Sequence, residues 1–502
     1  MSHALSLSRL LSPGKGLLIW PFLLLLALSL GCADPYRHVV AKPYLAEPPT
    51  PETIFGEATF GKGASPGGVG AIQAPVLPSG GTLSLDDCLV LAQRVSPALD
   101  SAQLGQLSAQ WSQWQAVTQF LPTGGLGYGV THYDNSPSYG VSNYNNASAP
   151  LTGMGRDQFS WQIGFNQPLF TGGRLSANYF LSRLGVEASA IQTTQSREDL
   201  LLSVKEAYFA ILATEKALAV AKTSVVNLSS HLNSARNFFD VGMVPRNQVL
   251  AAEVELAQAQ QEETTQERNL VVNTARLNIL LRQAPDGPLK IADALRYYPF
   301  PLTLERCLEL GLQNNPEILL GKNQVEAGAK GVDLARADLY PQFSLAYTHS
   351  STGNTPRAHG GWSADSSSWN IAAVMSFNFW EWGRVRAEVE KSKVALNQAI
   401  DQLTSLEDLA KLEITTNYQG LLSAGRNIDT SAKAVVSAAE DLRMVTERYQ
   451  EQVATNTEVL DAQTRYSQAQ YEHFAALYNY NLAWAALERS LGQRVLPQGT
   501  IG

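Results

Sequence analysis

The chain has 502 residues, 16% of them charged, and a formal net charge of −8. A length of this order admits two or three domains, and the acidic balance excludes the basic stripe that a nucleic-acid partner requires. Repeats are therefore the first thing to look for, since a missed repeat misreads a whole fold.

Taken in chain order, residues 1–31 read as a signal peptide. Arg9 and Lys15 precede an apolar run from Leu17 to Leu30, about as long as a signal core and short for a spanning helix. The run ends in "SLGC", which resembles the bacterial lipobox, so lipidation is expected at Cys32. Ala33 stands where an Asp often signals retention in the inner membrane, which points to the outer membrane. Each buried methylene of such an anchor contributes ~0.8 kcal/mol. Residues 32–82 are rich in proline and glycine without periodicity, as in a tether or a wrapping segment.

Two repeats are then expected, 83–282 and 302–495, joined by a linker at 283–301 and followed by a short tail, 496–502. "LSLDDCLVLA" from Leu83 returns as "LTLERCLELG" from Leu302, an offset of 219. Ser84 and Thr303 are good helix caps, and only Ser84 has an acid three residues later, Asp87. Cys88 and Cys307 fall at equivalent places and read as small buried residues. The opening stretch, 85–118 in the first repeat, reads as one helix running on to "FLP", and its counterpart runs on to "LYP".

Four segments of about ten residues then alternate with period two. They are "GGLGYGVTH", "FSWQIGFNQ", "FSLAYTHS" and "NIAAVMSFNF", and the connections within each pair are polar. Beyond them "TGGR" and "EWGR" match at an offset of 210, so the second repeat is nine residues shorter between its paired strands. From Arg174 to Val244 and from Arg384 to Leu496 hardly a helix breaker intervenes, and helix-forming residues dominate. Each repeat closes with a turn, "DVGMVPRN" in the first, and a further helix. The helices show diffuse apolar patterns with many small residues, which suits either a hollow tube wall or a filled coiled coil.

Amphipathic strands of this length suit a membrane barrel. Four cannot close one, and an open edge in lipid leaves backbone groups unpaired at several kcal/mol each. Copies of the chain are expected to pool their strands. No metal-ligand spacing such as HExxH is present, and "GKGASPGG" lacks the dinucleotide-binding pattern. No cofactor, metal site or catalytic role is expected. Trp362, Trp369, Trp380 and Trp382 near strand ends look like interfacial aromatics.

The duplicated plan of helix, strand pair, long helix, turn and helix, with "RYQEQVATNTEVLDAQTRYSQAQ" after Glu447, resembles the TolC/OprM outer-membrane efflux proteins over roughly residues 83–495. The resemblance implies a mixed α/β membrane protein: a homotrimer with a twelve-stranded barrel in the outer membrane and a long α-helical barrel across the periplasm. It also implies a periplasmic adaptor and an inner-membrane transporter as partners, and small molecules as cargo. Export of proteins by a type I system is the near alternative, and a non-conducting periplasmic coiled-coil lipoprotein is the distant one.

By the same resemblance the turns close the tunnel and acids beside the second turn line its gate. The matching residues are Glu458 and Asp461, three apart and so on one helix face, where the first repeat has Gln248 and Ala251. Threefold symmetry would stack them as two rings that favour cations and raise one another's pKa. On the residues alone, they also read as solvated acids at a helix start. Gly242, Tyr449 and Gln452 match tip positions. The family's usual glycine is kept at Gly242 and replaced at Gln452, and Ala454 stands where some members place an arginine.

Overall fold

The computed structural model describes residues 82–135, 139–142, 148–151, 156–359 and 367–495. Cys32 and the expected signal and tether segments lie outside the described residues. The chain divides into two compact units. One holds Val117–Leu175 and Arg336–Val385; the other holds 82–116, Ser176–Ala335 and the residues from Arg386 onward.

The first unit is a four-stranded antiparallel sheet. Its strands are β1 (Thr123–His132), β4 (Asp157–Phe170), β5 (Gln342–Gly353) and β6 (Ser367–Ser376), in the order β1-β4-β5-β6. The connection after β1, expected as loop, contains a short antiparallel pair, β2 (Tyr139–Ser142) with β3 (Ser148–Leu151). Side chains alternate as the sequence pattern requires. Tyr128 pairs with Trp161 in β1–β4, Phe165 with Tyr347 in β4–β5, and Tyr347 with Ile371 in β5–β6. The apolar positions of all four strands thereby share one face, and most of them, including Leu126 at 75% exposure, are uncovered in the single chain.

The helical unit contains α1 (Leu85–Val95), α2 (Pro97–Thr118), α3 (Arg174–Asp240), α4 (Arg246–Leu280), α5 (Leu304–Asn314), α6 (Pro316–Arg336), α7 (Arg384–Gln450) and α8 (Asn456–Leu491). The helices α3 and α7 each run 67 residues, about 100 Å at 1.5 Å per residue. The opening segment of each repeat is two helices where one was expected. Proline lacks the amide hydrogen and forces its predecessor out of the helical region. Ser96 and Asn315 accordingly take extended backbone at ψ 117° and 122°. The Asn315 side chain then caps α6, accepting from the Glu317 amide at 2.8 Å.

Two cores repeat the same residues. Cys88, Val204, Tyr208, Ile211, Leu277 and Leu281 pack in one, and Cys307, Ile414, Tyr418, Leu421, Leu487 and Leu491 in the other. The Tyr208 hydroxyl donates to the Leu83 carbonyl at 3.3 Å and the Tyr418 hydroxyl to the matching Leu302 carbonyl at 3.4 Å. Both cysteines are free and buried, and burial raises both thiol pKa values, to about 12 at Cys88 and about 11 at Cys307. The caps behave as expected. Ser84 forms a reciprocal capping box with Asp87, while Thr303 only accepts from the Arg306 amide. Across the repeats, Lys205 of α3 pairs with Glu488 of α8, both nearly buried. Glu488 also accepts from the Val495 amide at 2.8 Å and from the Trp484 indole at 3.3 Å.

Candidate functional site: the paired turns

The turns that end α3 and α7 are built alike. The Gly242 amide donates to Phe239 O and the Met243 amide to Phe238 O, both at 2.8 Å; the Gln452 amide donates to Tyr449 O at 3.0 Å and the Val453 amide to Arg448 O at 2.8 Å. These are the two bonds of a Schellman ending, which requires a left-handed residue. Gly242 supplies it at φ 78°, and Gln452 adopts it at φ 61°. A left-handed residue with a Cβ is strained by roughly 1–2 kcal/mol. The Gln452 side chain reaches across to Met243, its amide 3.1 Å from Sδ.

The strain is part of a wider pattern. Trp382 (φ 51°) occupies the left-handed place of Gly172 (φ 65°), and Arg282 (φ 58°) that of Gly492 (φ 66°). A Cβ at Gly172 would overlap the Ala337 carbonyl oxygen, so the first repeat has no room for the side chain that the second carries. Gln452→Gly should therefore stabilise the second turn by about 0.5–1 kcal/mol, after allowance for the freer unfolded chain. Gly242→Ala should cost about 1 kcal/mol. Hydrogen exchange of the Arg448–Thr455 amides would show slower opening in the first variant if this holds, and unchanged opening if it does not.

Glu458 closes a capping box at the start of α8. Its carboxylate accepts from the Thr455 amide at 3.2 Å and hydroxyl at 2.9 Å, while the Thr455 hydroxyl oxygen accepts from the Glu458 amide at 3.3 Å. The Thr455 hydroxyl, then the Thr455 amide, hold this carboxyl below the usual glutamate range. Asp461, one turn on, is exposed. In the first repeat Pro245 begins α4 without a side-chain cap, so the acid at the second turn has a local structural role with no counterpart in the first.

Tyr449 packs in a small core beside the second turn. It is 4% exposed, its ring lies 4.9 Å from His231 and 5.6 Å from Phe238, and among the described residues its hydroxyl has no hydrogen-bond partner. Burial raises its pKa. It packs with Val445, Val459 and Ala462 in a small core that Phe238 also touches, so the two turns lean on each other. Polar bonds tie the same junction. His231 Nε2 and Asn456 Oδ1 are 2.6 Å apart, the Asn456 amide donates to Gln248 O at 3.3 Å, and the Asn227 amide donates to Gln463 Oε1 at 3.2 Å. The His231–Asn456 contact was invisible in the sequence, because the two are 225 residues apart and nothing in the motif that holds Asn456 points to His231.

Burial lowers the His231 pKa from its ordinary value of 6.5, against a smaller opposing effect of Asn456. A depressed histidine contributes stability that is complete above about pH 6.5 and is lost as pH falls through the folded-state value, because the unfolded chain binds the proton more readily. The protection factors of the residue 228–240 amides, with the intrinsic pH dependence of exchange divided out, should therefore fall between pH 7.5 and pH 5, and His231→Gln should flatten that dependence. An equally steep profile in the variant would contradict it.

Among the described residues no group of His, Cys, Asp or Glu is placed to hold a metal ion, and no helix is long and apolar enough to cross a membrane. A family model described as outer membrane efflux protein matches residues 89–281 and 307–493. The outer membrane efflux protein BepC of Brucella suis is 23% identical over 349 residues, covering 67% of this chain and 72% of that protein. The outer membrane protein TolC of Escherichia coli is 23% identical over 392 residues, covering 75% and 76%. The crystal structure of the outer membrane protein VceC of Vibrio cholerae superposes with a TM-score of 0.69 at 19% identity, covering 82% of this chain and 96% of that one. With both repeats matched, the chain belongs to the outer membrane efflux protein family, a family of outer-membrane conduits and not of enzymes.

Proposed function

We propose that three copies of the chain close into one passive channel that carries small molecules out of the cell. In this reading twelve strands form a barrel in the outer membrane, and the helices form a hollow wall reaching into the periplasm. A periplasmic adaptor and an inner-membrane transporter deliver the cargo, and acyl chains on Cys32 anchor the assembly to the membrane. The observation that carries the reading is the sheet. Its four strands share an apolar face, and among the described residues the outer edges of β1 and β6 are unpaired. Natural edge strands are blunted with charge, proline or bulges. The segments "TGGLGYGVTH" and "SSWNIAAVMS" contain neither a charged residue apart from a terminal histidine nor a proline. A non-conducting coiled coil would have no use for such a sheet.

At the inner end of the conduit, Glu458 and Asp461 of each copy form the cation-favouring constriction, supported by the turns at Gly242 and Gln452 and by Tyr449 beside them. The test is loss of the chain in its native cell. Accumulation of a small cationic dye should rise severalfold, with the secreted proteins unchanged. Unchanged dye accumulation together with loss of one secreted protein would move the chain to type I secretion.

A further inference from the structure

The internal repeat specifies how one copy joins the next, residue by residue. Moving β1 forward by 219 and β4 by 210 converts the first hairpin into the second with no slip. Tyr128 opposite Trp161 becomes Tyr347 opposite Ile371, Leu126 opposite Ile163 becomes Leu345 opposite Ala373, and Thr123 opposite Asn166 becomes Gln342 opposite Ser376. All six positions are paired as the offsets require. The two offsets therefore carry strand register as well as sequence similarity.

The junction between the repeats, β4 with β5, has no second example inside the chain. Its counterpart is β6 with the β1 of another copy. Applying the same offsets to the β4–β5 register, we infer that β6 of one copy pairs antiparallel with β1 of the next so that Ala373 faces Val130, Met375 faces Tyr128 and Phe377 faces Leu126. This inference rests on the reading of the chain as a closed oligomer, which already makes β6 and β1 neighbours, and it adds the register of the seam.

Two further observations point the same way. The first concerns strand length. At the end of β4, Gln167, Pro168 and Phe170 pair with β5, with a register shift at Leu169, and none of them has a partner in β1. Their counterparts, Phe377 to Trp380, have no strand partner among the described residues, and β6 stops at Ser376. The proposed seam supplies what is missing and extends β6 by the segment that β4 already has. The second concerns faces. A slip of one residue would turn apolar side chains against the opposite face. The proposed register sets Ala373, Met375 and Phe377 beside Val130, Tyr128 and Leu126, so the apolar face continues unbroken from copy to copy. A slip of two would also keep the face, and only the repeat distinguishes it.

The seam is not a perfect copy of the inner junction. There, Arg174 pairs with Asp338. At the seam the aspartate's counterpart is Gln119, and Arg384 instead pairs within its own turn with Glu381 at 2.6 Å. An ion pair that joins the repeats within one copy is thus absent between copies, so the seam depends on strand pairing and apolar contact.

Paired cysteines test this. Side chains directly opposite lie ~5 Å apart at Cβ, within reach of a disulfide, and diagonal neighbours lie ~7 Å apart. The full chain is oxidised in membranes carrying Ala373→Cys with Val130→Cys, or Met375→Cys with Tyr128→Cys. The displaced pair Ala373→Cys with Tyr128→Cys serves as comparison, and Ile163→Cys with His349→Cys, opposite each other within one chain, reports that the sheet has formed. Both matched pairs should give covalently linked multimers at several times the yield of the displaced pair. Linked multimers from the displaced pair in equal or greater yield would overturn the register and leave the oligomer standing. Formation of the within-chain disulfide with no linked multimer from any pair would overturn both.

Discussion

Replacing Glu458 by Gln and Asp461 by Asn should leave the channel assembled and remove most of its preference for cations. In the proposed trimer the stacked carboxylates would favour cations over anions severalfold, and less so at high salt. Assembly should survive because glutamine serves the third position of a capping box nearly as well as glutamate. Thr455 keeps its bond to the amide of residue 458, and the Tyr449–Val459–Ala462 core is untouched. In the wild type the Thr455 hydroxyl and amide hold the Glu458 carboxyl below the usual glutamate range, which opposes the rise that neighbouring acids would impose in the proposed constriction. The reversal potential across a bilayer in a salt gradient reads the change. An unshifted potential in the double variant would remove both acids from the constriction.

The second large effect lies far from the turns in sequence. Lys205→Met should destabilise the helical unit by about 3–5 kcal/mol, because it strands the Glu488 carboxylate in a site with 8% side-chain exposure. Adding Glu488→Gln should recover most of the loss. The neutral amide oxygen still accepts from Trp484 and from the Val495 amide, which pins the end of the described chain against the second core. Thermal unfolding of the two variants distinguishes this from an ordinary surface pair. A loss below about 1 kcal/mol in Lys205→Met is what an exposed pair would give.

These two predictions differ in how far the sequence announces them. The capping role of Glu458 is written locally as Thr455-x-x-Glu458, and the strands, the long helices and the two cores are legible because each is stated twice at fixed offsets. The helix breaks at Pro97 and Pro316 were equally local and were read through, since the apolar pattern continues across them. What sequence could not reveal is contact between dissimilar positions of the two repeats. Lys205 meets Glu488, and His231 meets Asn456, through packing of α3 against α8, where no offset relates the partners. The left-handed Gln452 and Trp382 are an intermediate case. Their glycine counterparts mark the turn, but only the backbone shows that the second repeat keeps the geometry with a side chain present.

Closure of several open sheets around a hollow interior is the claim on which the rest depends. The direct measurement is the mass of the purified detergent complex together with its conductance in a planar bilayer. A particle of three chains that passes a steady ionic current is the predicted result. A folded single chain that inserts without conducting would contradict it.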